Sequence, residues 1–109
     1  MGIINHIDIS IEDKAELMAL FKRYLPNTTV WAFGSRVKGT ANATSDLDLV
    51  VFCAPEEADK VFLLKEALKD SFLPFRIDVL IWNELSENFK QNILENYFEL
   101  ITNHIPNLG

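Results

Sequence analysis

The sequence predicts a single α+β domain, because short β-branched and aromatic runs of strand character are interleaved with longer segments whose apolar residues recur at helical spacing. A chain of 109 residues, 49% of them apolar, can build one hydrophobic core and is too short for two ordinary domains. The domain is expected to occupy residues 1–109, with no internal repeat, low-complexity tract or linker.

Ser10 followed by Asp13 resembles the start of a capped helix, and Ile11, Leu17, Leu20, Phe21 and Tyr24 keep helical spacing up to Pro26. A first helix is expected over roughly residues 11–25. Thr29 to Phe33 is β-branched and aromatic and stops at Gly34, as a buried strand does. A second strand starts near Asp46 and runs to Cys53, its later part apolar on both faces. Pro55, with Glu56 and Glu57 in the first turn, opens a second long helix carried by Val61, Leu64, Ala67 and Leu68 and ending near Phe72. After a turn at Pro74, the segment Phe75 to Trp82 reads as a third strand. It carries a carboxylate, Asp78, in its middle, which a purely structural strand does not call for. Ser86 caps a last helix that uses Phe89, Ile93 and Tyr97, after which Phe98 to Ile101 either prolongs it or forms a short edge strand.

The formal net charge of −6 argues against extended DNA or RNA as a partner, since such binders carry a basic stripe. One nucleoside triphosphate remains compatible with that charge, because metal ions rather than surface lysines can neutralise its phosphates. The lone Cys53 sits in an apolar run and reads as a small core residue. No signal-peptide pattern, membrane-length apolar run or myristoylation motif is present, so the expected location is the cytoplasm, away from the membrane. Without a secretory signal, the sequons at Asn27 and Asn42 are ordinary polar-loop composition.

The chemistry gathers between the first two strands and on the third. In Gly34-Ser35-Arg36-Val37-Lys38-Gly39 a strand turns into a short helix, where backbone amides and the Ser35 hydroxyl can hold phosphate oxygens. Arg36 and Lys38 would add charge to a triphosphate site, although two basic residues in an exposed turn are more often merely solvated. Asp46 and Asp48 are two residues apart in a strand, so both carboxylates leave the same face. Held together against their repulsion, they suit a hard divalent cation; the bland alternative is a solvated strand start. Asp78, inside an apolar strand, shifts the balance towards metal, with three carboxylates expected to converge. The structural alternative for Asp78 is an ion pair with Arg76, two residues away on the same strand face.

Gly34-Ser35, ten residues, then Asp46-Leu47-Asp48, with Asp78 on a later strand, resembles the signature of the DNA polymerase β-like nucleotidyltransferase superfamily. The resemblance spans roughly residues 29–82, and the strand and helix context agrees with it. The short length and the wording around the motif look most like the minimal nucleotidyltransferases, antitoxin partners of HEPN-domain toxins. The resemblance implies a small mixed β-sheet with helices packed on one face, the palm of that superfamily, and carboxylates on the more open face. It implies Asp46, Asp48 and Asp78 as catalytic ligands of magnesium, two ions being expected, and Gly34 and Ser35 as holders of the β- and γ-phosphates. It implies transfer of a nucleoside monophosphate, AMP from ATP, onto an acceptor hydroxyl. In the minimal subfamily that acceptor is a tyrosine of the partner HEPN ribonuclease, so a hetero-oligomer is expected. Tyr97, Phe98, Leu100 and Ile101 would either dock this partner or, as the apolar pattern favours, finish the domain's own core. A small-molecule nucleotidyltransferase and a non-catalytic antitoxin that acts by binding alone are the rival readings. The lack of an acceptor-binding domain weighs against the first, and the intact Gly34, Ser35, Asp46, Asp48 and Asp78 against the second.

Overall fold

Strand pairing in the computed structural model, which describes residues 2–102, builds one five-stranded mixed sheet ordered β1-β5-β2-β3-β4. Its strands are β1 (Ile3–Ile4), β2 (Thr29–Phe33), β3 (Leu47–Phe52), β4 (Ile77–Ile81) and β5 (Tyr97–Ile101). The helices are α1 (Ile11–Tyr24), α2 (Ser35–Lys38), α3 (Ala58–Lys69) and α4 (Glu87–Glu95), with single 3-10 turns at Pro55–Glu57 and Trp82–Glu84. β2 and β3 pair antiparallel, whereas β3 and β4 are parallel. A parallel pair needs a crossover, and α3 supplies it.

Helix α1 begins where Ser10 accepts a hydrogen bond from the Asp13 amide at 3.0 Å. Glu12 and Asp13 in its first turn, and Lys22 and Arg23 in its last, complement the helix dipole. Its Leu17 and Phe21, with Val61, Leu64 and Leu68 of α3, join a core with Val30, Ala32, Leu47, Leu49, Val51 and Val79 of the sheet. These strand residues alternate, so the same pleat sends Trp31, Phe33, Asp48 and Asp78 to the opposite face. Cys53 is buried beside the core, as its apolar run indicates, and burial pushes its thiol above the ordinary range.

The mixed sheet is the architecture expected, with differences in detail that have physical causes. Pro55 opens a 3-10 turn and α3 proper starts at Ala58. Leu100 is buried and Tyr97 stacks on Trp31, ring centroids 4.1 Å apart, so the final segment is strand and not helix. It lies inside the sheet, between β1 and β2, because the two-residue β1 covers its outer side. Helix α4 ends accordingly at Glu95, and its Ser86 cap accepts from the Phe89 amide at 3.1 Å. While α1 and α3 back one face, α4 sets Phe89 edge-on to Phe33 on the other. No helix among the described residues is long and apolar enough to cross a membrane.

Candidate active site

At the end of β2 the chain turns through Gly34, at φ 83° and ψ −158°, directly into the four-residue α2. Two constraints make this position a glycine. Its φ lies in the region that side chains avoid, and a Cβ there would collide with Oδ2 of Asp48. The turn and the carboxylate are therefore in direct apposition. Ser35 opens α2, and its amide and that of Arg36, in the first turn, have no acceptor within the helix. The turn is closed on its far side by the Gly39 and Thr40 amides, both donating to the Ser35 carbonyl at 3.1 Å.

Register places the carboxylates. Phe33 pairs with Asp48 across the antiparallel ladder, and Asp48 pairs with Asp78 across the parallel one. Asp46 stands one residue before β3 and is exposed. The Asp48 carboxyl is held above its ordinary range, first by burial, then by the charges of Asp78 and Asp46. The three acids thus share one corner of the sheet and repel one another. They do not close into a cage: among the described residues, no three acidic, histidine or cysteine side chains are grouped tightly enough to hold an ion. What register and charge crowding give is an open donor set. All-oxygen donors on adjacent strands, crowded by charge that a cation would relieve, fit a magnesium-type ion that keeps water and phosphate among its ligands. Arg76 Nε lies 3.8 Å from Asp78 Oδ1, with the two side chains 76% and 44% exposed. Such a solvated pair is weak and leaves Asp78 available.

The expectation that Arg36 charges the phosphate site is corrected. Its side chain is 5% exposed, and its guanidinium donates to four backbone carbonyls, those of Ser45, Asp8, Asn42 and Ala43. Those donors are spent within the protein. Lys38, by contrast, is exposed in the last turn of α2.

A groove of about 800 Å³ runs past Asp48 and Asp78, walled on their face by Phe33, Leu80 and Phe89, and continues round the outer edge of β4 to Lys65 and Lys69. Its aromatic wall escaped the sequence reading because Phe33 and Phe89 serve equally well as core residues in strand and helix periodicity. The only available signal was that period two puts Phe33 on the face of Asp48.

The polymerase β nucleotidyltransferase family matches residues 15–104. The probable protein adenylyltransferase MntA of Haemophilus influenzae (strain ATCC 51907 / DSM 11121 / KW20 / Rd) is 44% identical over 95 residues, which cover 84% of this chain and 81% of that protein. A crystal structure of a toxin–antitoxin with AMP-PNP shares the fold at a TM-score of 0.67 and 21% identity, over 81% of this chain and 72% of that one. A mutant toxin–antitoxin MntA-HpeT structure does so at 0.66 and 19%, with the same coverage.

Proposed function

The chain belongs to the polymerase β nucleotidyltransferase family, and from that premise we propose that it is an antitoxin that transfers AMP from ATP to a tyrosine hydroxyl of a partner HEPN ribonuclease. The observation that carries the reading is the in-register pair Asp48 and Asp78 beside the Gly34 turn. The 44% identity to a probable protein adenylyltransferase supports AMP as the group and protein as the acceptor. That a solved toxin–antitoxin shares this fold supports a toxin as the partner.

In this reading Asp46 and Asp48 would hold the magnesium that accompanies the triphosphate, and Asp78 would complete the site at the acceptor side. Bound magnesium would offset the phosphate charge and lower the pKa of the attacking hydroxyl. Gly34 lets the backbone come close, and the Ser35 hydroxyl with the first amides of α2 receives the β- and γ-phosphates. Phe33 and Phe89 line the groove through which the acceptor approaches. The acceptor oxygen loses its proton and bonds to the α-phosphorus, the bond from that phosphorus to the bridging oxygen breaks, and pyrophosphate leaves. An acidic site needs the cation for a further reason, since ATP would otherwise be repelled by the carboxylates.

The test uses the co-purified pair with magnesium and ATP labelled in either the α- or the γ-phosphate. Label from the α-position should appear on the partner with release of pyrophosphate. Label arriving from the γ-position, or neutralisation of the toxin with no covalent label, would overturn the reading.

A further inference from the structure

Among the described residues Arg36 is a buried cation with no carboxylate partner; its charge is met by carbonyl dipoles and the face of the Phe75 ring. Burying a charge is costly, and such an arrangement persists where many hydrogen bonds satisfy it at once. The segments it joins are informative. Nε donates to the Ser45 carbonyl at 2.9 Å, and Nη2 to those of Ala43 at 3.1 Å and Asn42 at 3.4 Å, so the guanidinium holds the loop that delivers Asp46. Nη1 donates to the Asp8 carbonyl at 2.8 Å, and the Asp8 amide returns a bond to the Arg36 carbonyl, also at 2.8 Å. The guanidinium centre lies 4.1 Å from the Phe75 ring centroid, three residues before Asp78. Beyond the guanidinium, the Leu47 amide donates to the Arg76 carbonyl at 2.8 Å and locks the entrances of β3 and β4 together.

We propose that Arg36 is a positioning residue for the carboxylate site: from α2, next to Ser35, it sets the spacing of the segments that deliver Asp46, Asp48 and Asp78. The proposal rests on the nucleotidyltransferase reading. Only a planar guanidinium provides donors in a fixed fork together with a flat face for stacking; a lysine ammonium reaches one or two of the carbonyls and cannot cover the ring. Without the clamp, the loop of residues 42–45 keeps its own short-range bonds, such as the Asn42 amide to Ser45 Oγ at 2.9 Å. It loses its tie to α2 and to Phe75, so Asp46 and Asp78 would drift relative to each other. The expected consequence is weaker metal binding at an otherwise folded site.

The experiment compares the full chain with Arg36→Lys and Phe75→Leu, the second keeping every guanidinium hydrogen bond while removing the ring. Mn2+ affinity is measured by calorimetry in the presence of a non-hydrolysable ATP analogue, alongside melting temperature. Affinity should fall about tenfold in Arg36→Lys, the low end for loss of a residue that orients metal ligands, and less in Phe75→Leu. Analogue affinity at saturating Mn2+ should stay within a few-fold of wild type. Unchanged Mn2+ affinity with a lowered melting temperature would make Arg36 a fold strut only and overturn the proposal. Loss of analogue affinity at saturating Mn2+ would make it a phosphate ligand and overturn it equally. Should Arg36→Lys fail to fold, Phe75→Leu decides. A wild-type protein that binds Mn2+ but transfers no AMP would refute the catalytic reading while the metal comparison still stands, so the two failures are distinguishable.

Discussion

Replacing Asp48 with asparagine should stabilise the metal-free protein while abolishing transfer. Paired in register on adjacent strands, Asp48 and Asp78 are about 5 Å apart by strand spacing. Two like charges at that distance cost about 0.8 kcal/mol in water and about 3 kcal/mol at an effective dielectric constant of about 20. With Asp78 still 44% exposed, the lower end applies, about 1 kcal/mol. In a domain of this size that is a rise in Tm of about 4–8 °C. The sign follows from linkage: the folded-state carboxyl of Asp48 titrates above its ordinary value of 3.8, so between the two values the folded chain binds more protons than the unfolded one. Stability therefore falls as pH rises through that window, and the penalty is complete above it. Thermal unfolding in EDTA should show Asp48→Asn above wild type at pH 7, with the gap closing once the pH drops below the ordinary aspartate range. Magnesium should raise the wild-type Tm and leave the mutant nearly unmoved. A mutant that melts below wild type in EDTA, or a gap unchanged at pH 3, would refute the crowding argument and make Asp48 a structural acceptor.

Gly34→Ala should cost about 1–3 kcal/mol in denaturant unfolding, because alanine resists the positive φ and its Cβ meets the Asp48 carboxylate. It should also weaken magnesium-dependent ATP binding, and wild-type binding by calorimetry would show that the close approach has no part in the site. Asp78→Asn should keep ATP binding within several-fold of wild type while transfer drops by roughly two orders of magnitude. Full transfer by that mutant would reassign Asp78 as the ion-pair partner of Arg76.

What was legible in the sequence is what local periodicity determines. Thr29 to Phe33 was readable to the residue, because a β-branched run ending at a positive-φ glycine has few other conformations open to it. Ser10 and Ser86 marked two helix starts, and both side chains cap as expected. Phe98 to Ile101 was not decidable between helix and strand, since a short apolar run fits either, and Tyr97, read as the last apolar position of the helix, is instead the first residue of β5. Its state depends on distant partners, Trp31 for the Tyr97 ring and Ile3 and Ile4 for the outer edge. Strand β1 itself, two residues long, leaves no periodicity to detect.

The same division runs through the site. Glycine 34 and the three aspartates were identifiable because each is anomalous where it stands: a glycine ending a buried strand, paired acids at period two, an acid inside an apolar strand. Arg36 is anomalous in nothing that sequence displays, since a basic residue in a polar turn is the common case. What distinguishes it is the destination of its donors, the carbonyls of residues 6 to 9 positions ahead and of Asp8, 28 positions behind. Carbonyls carry no side-chain identity, so such a clamp can be built on any loop sequence and leaves no motif. Neighbouring cations on one short helix thus have opposite roles, Lys38 at the surface and Arg36 within the frame. An acidic site that must hold its carboxylates against repulsion needs rigid support from outside the carboxylates themselves. A buried guanidinium provides that support while its donors, engaged by backbone carbonyls, stay off the aspartates.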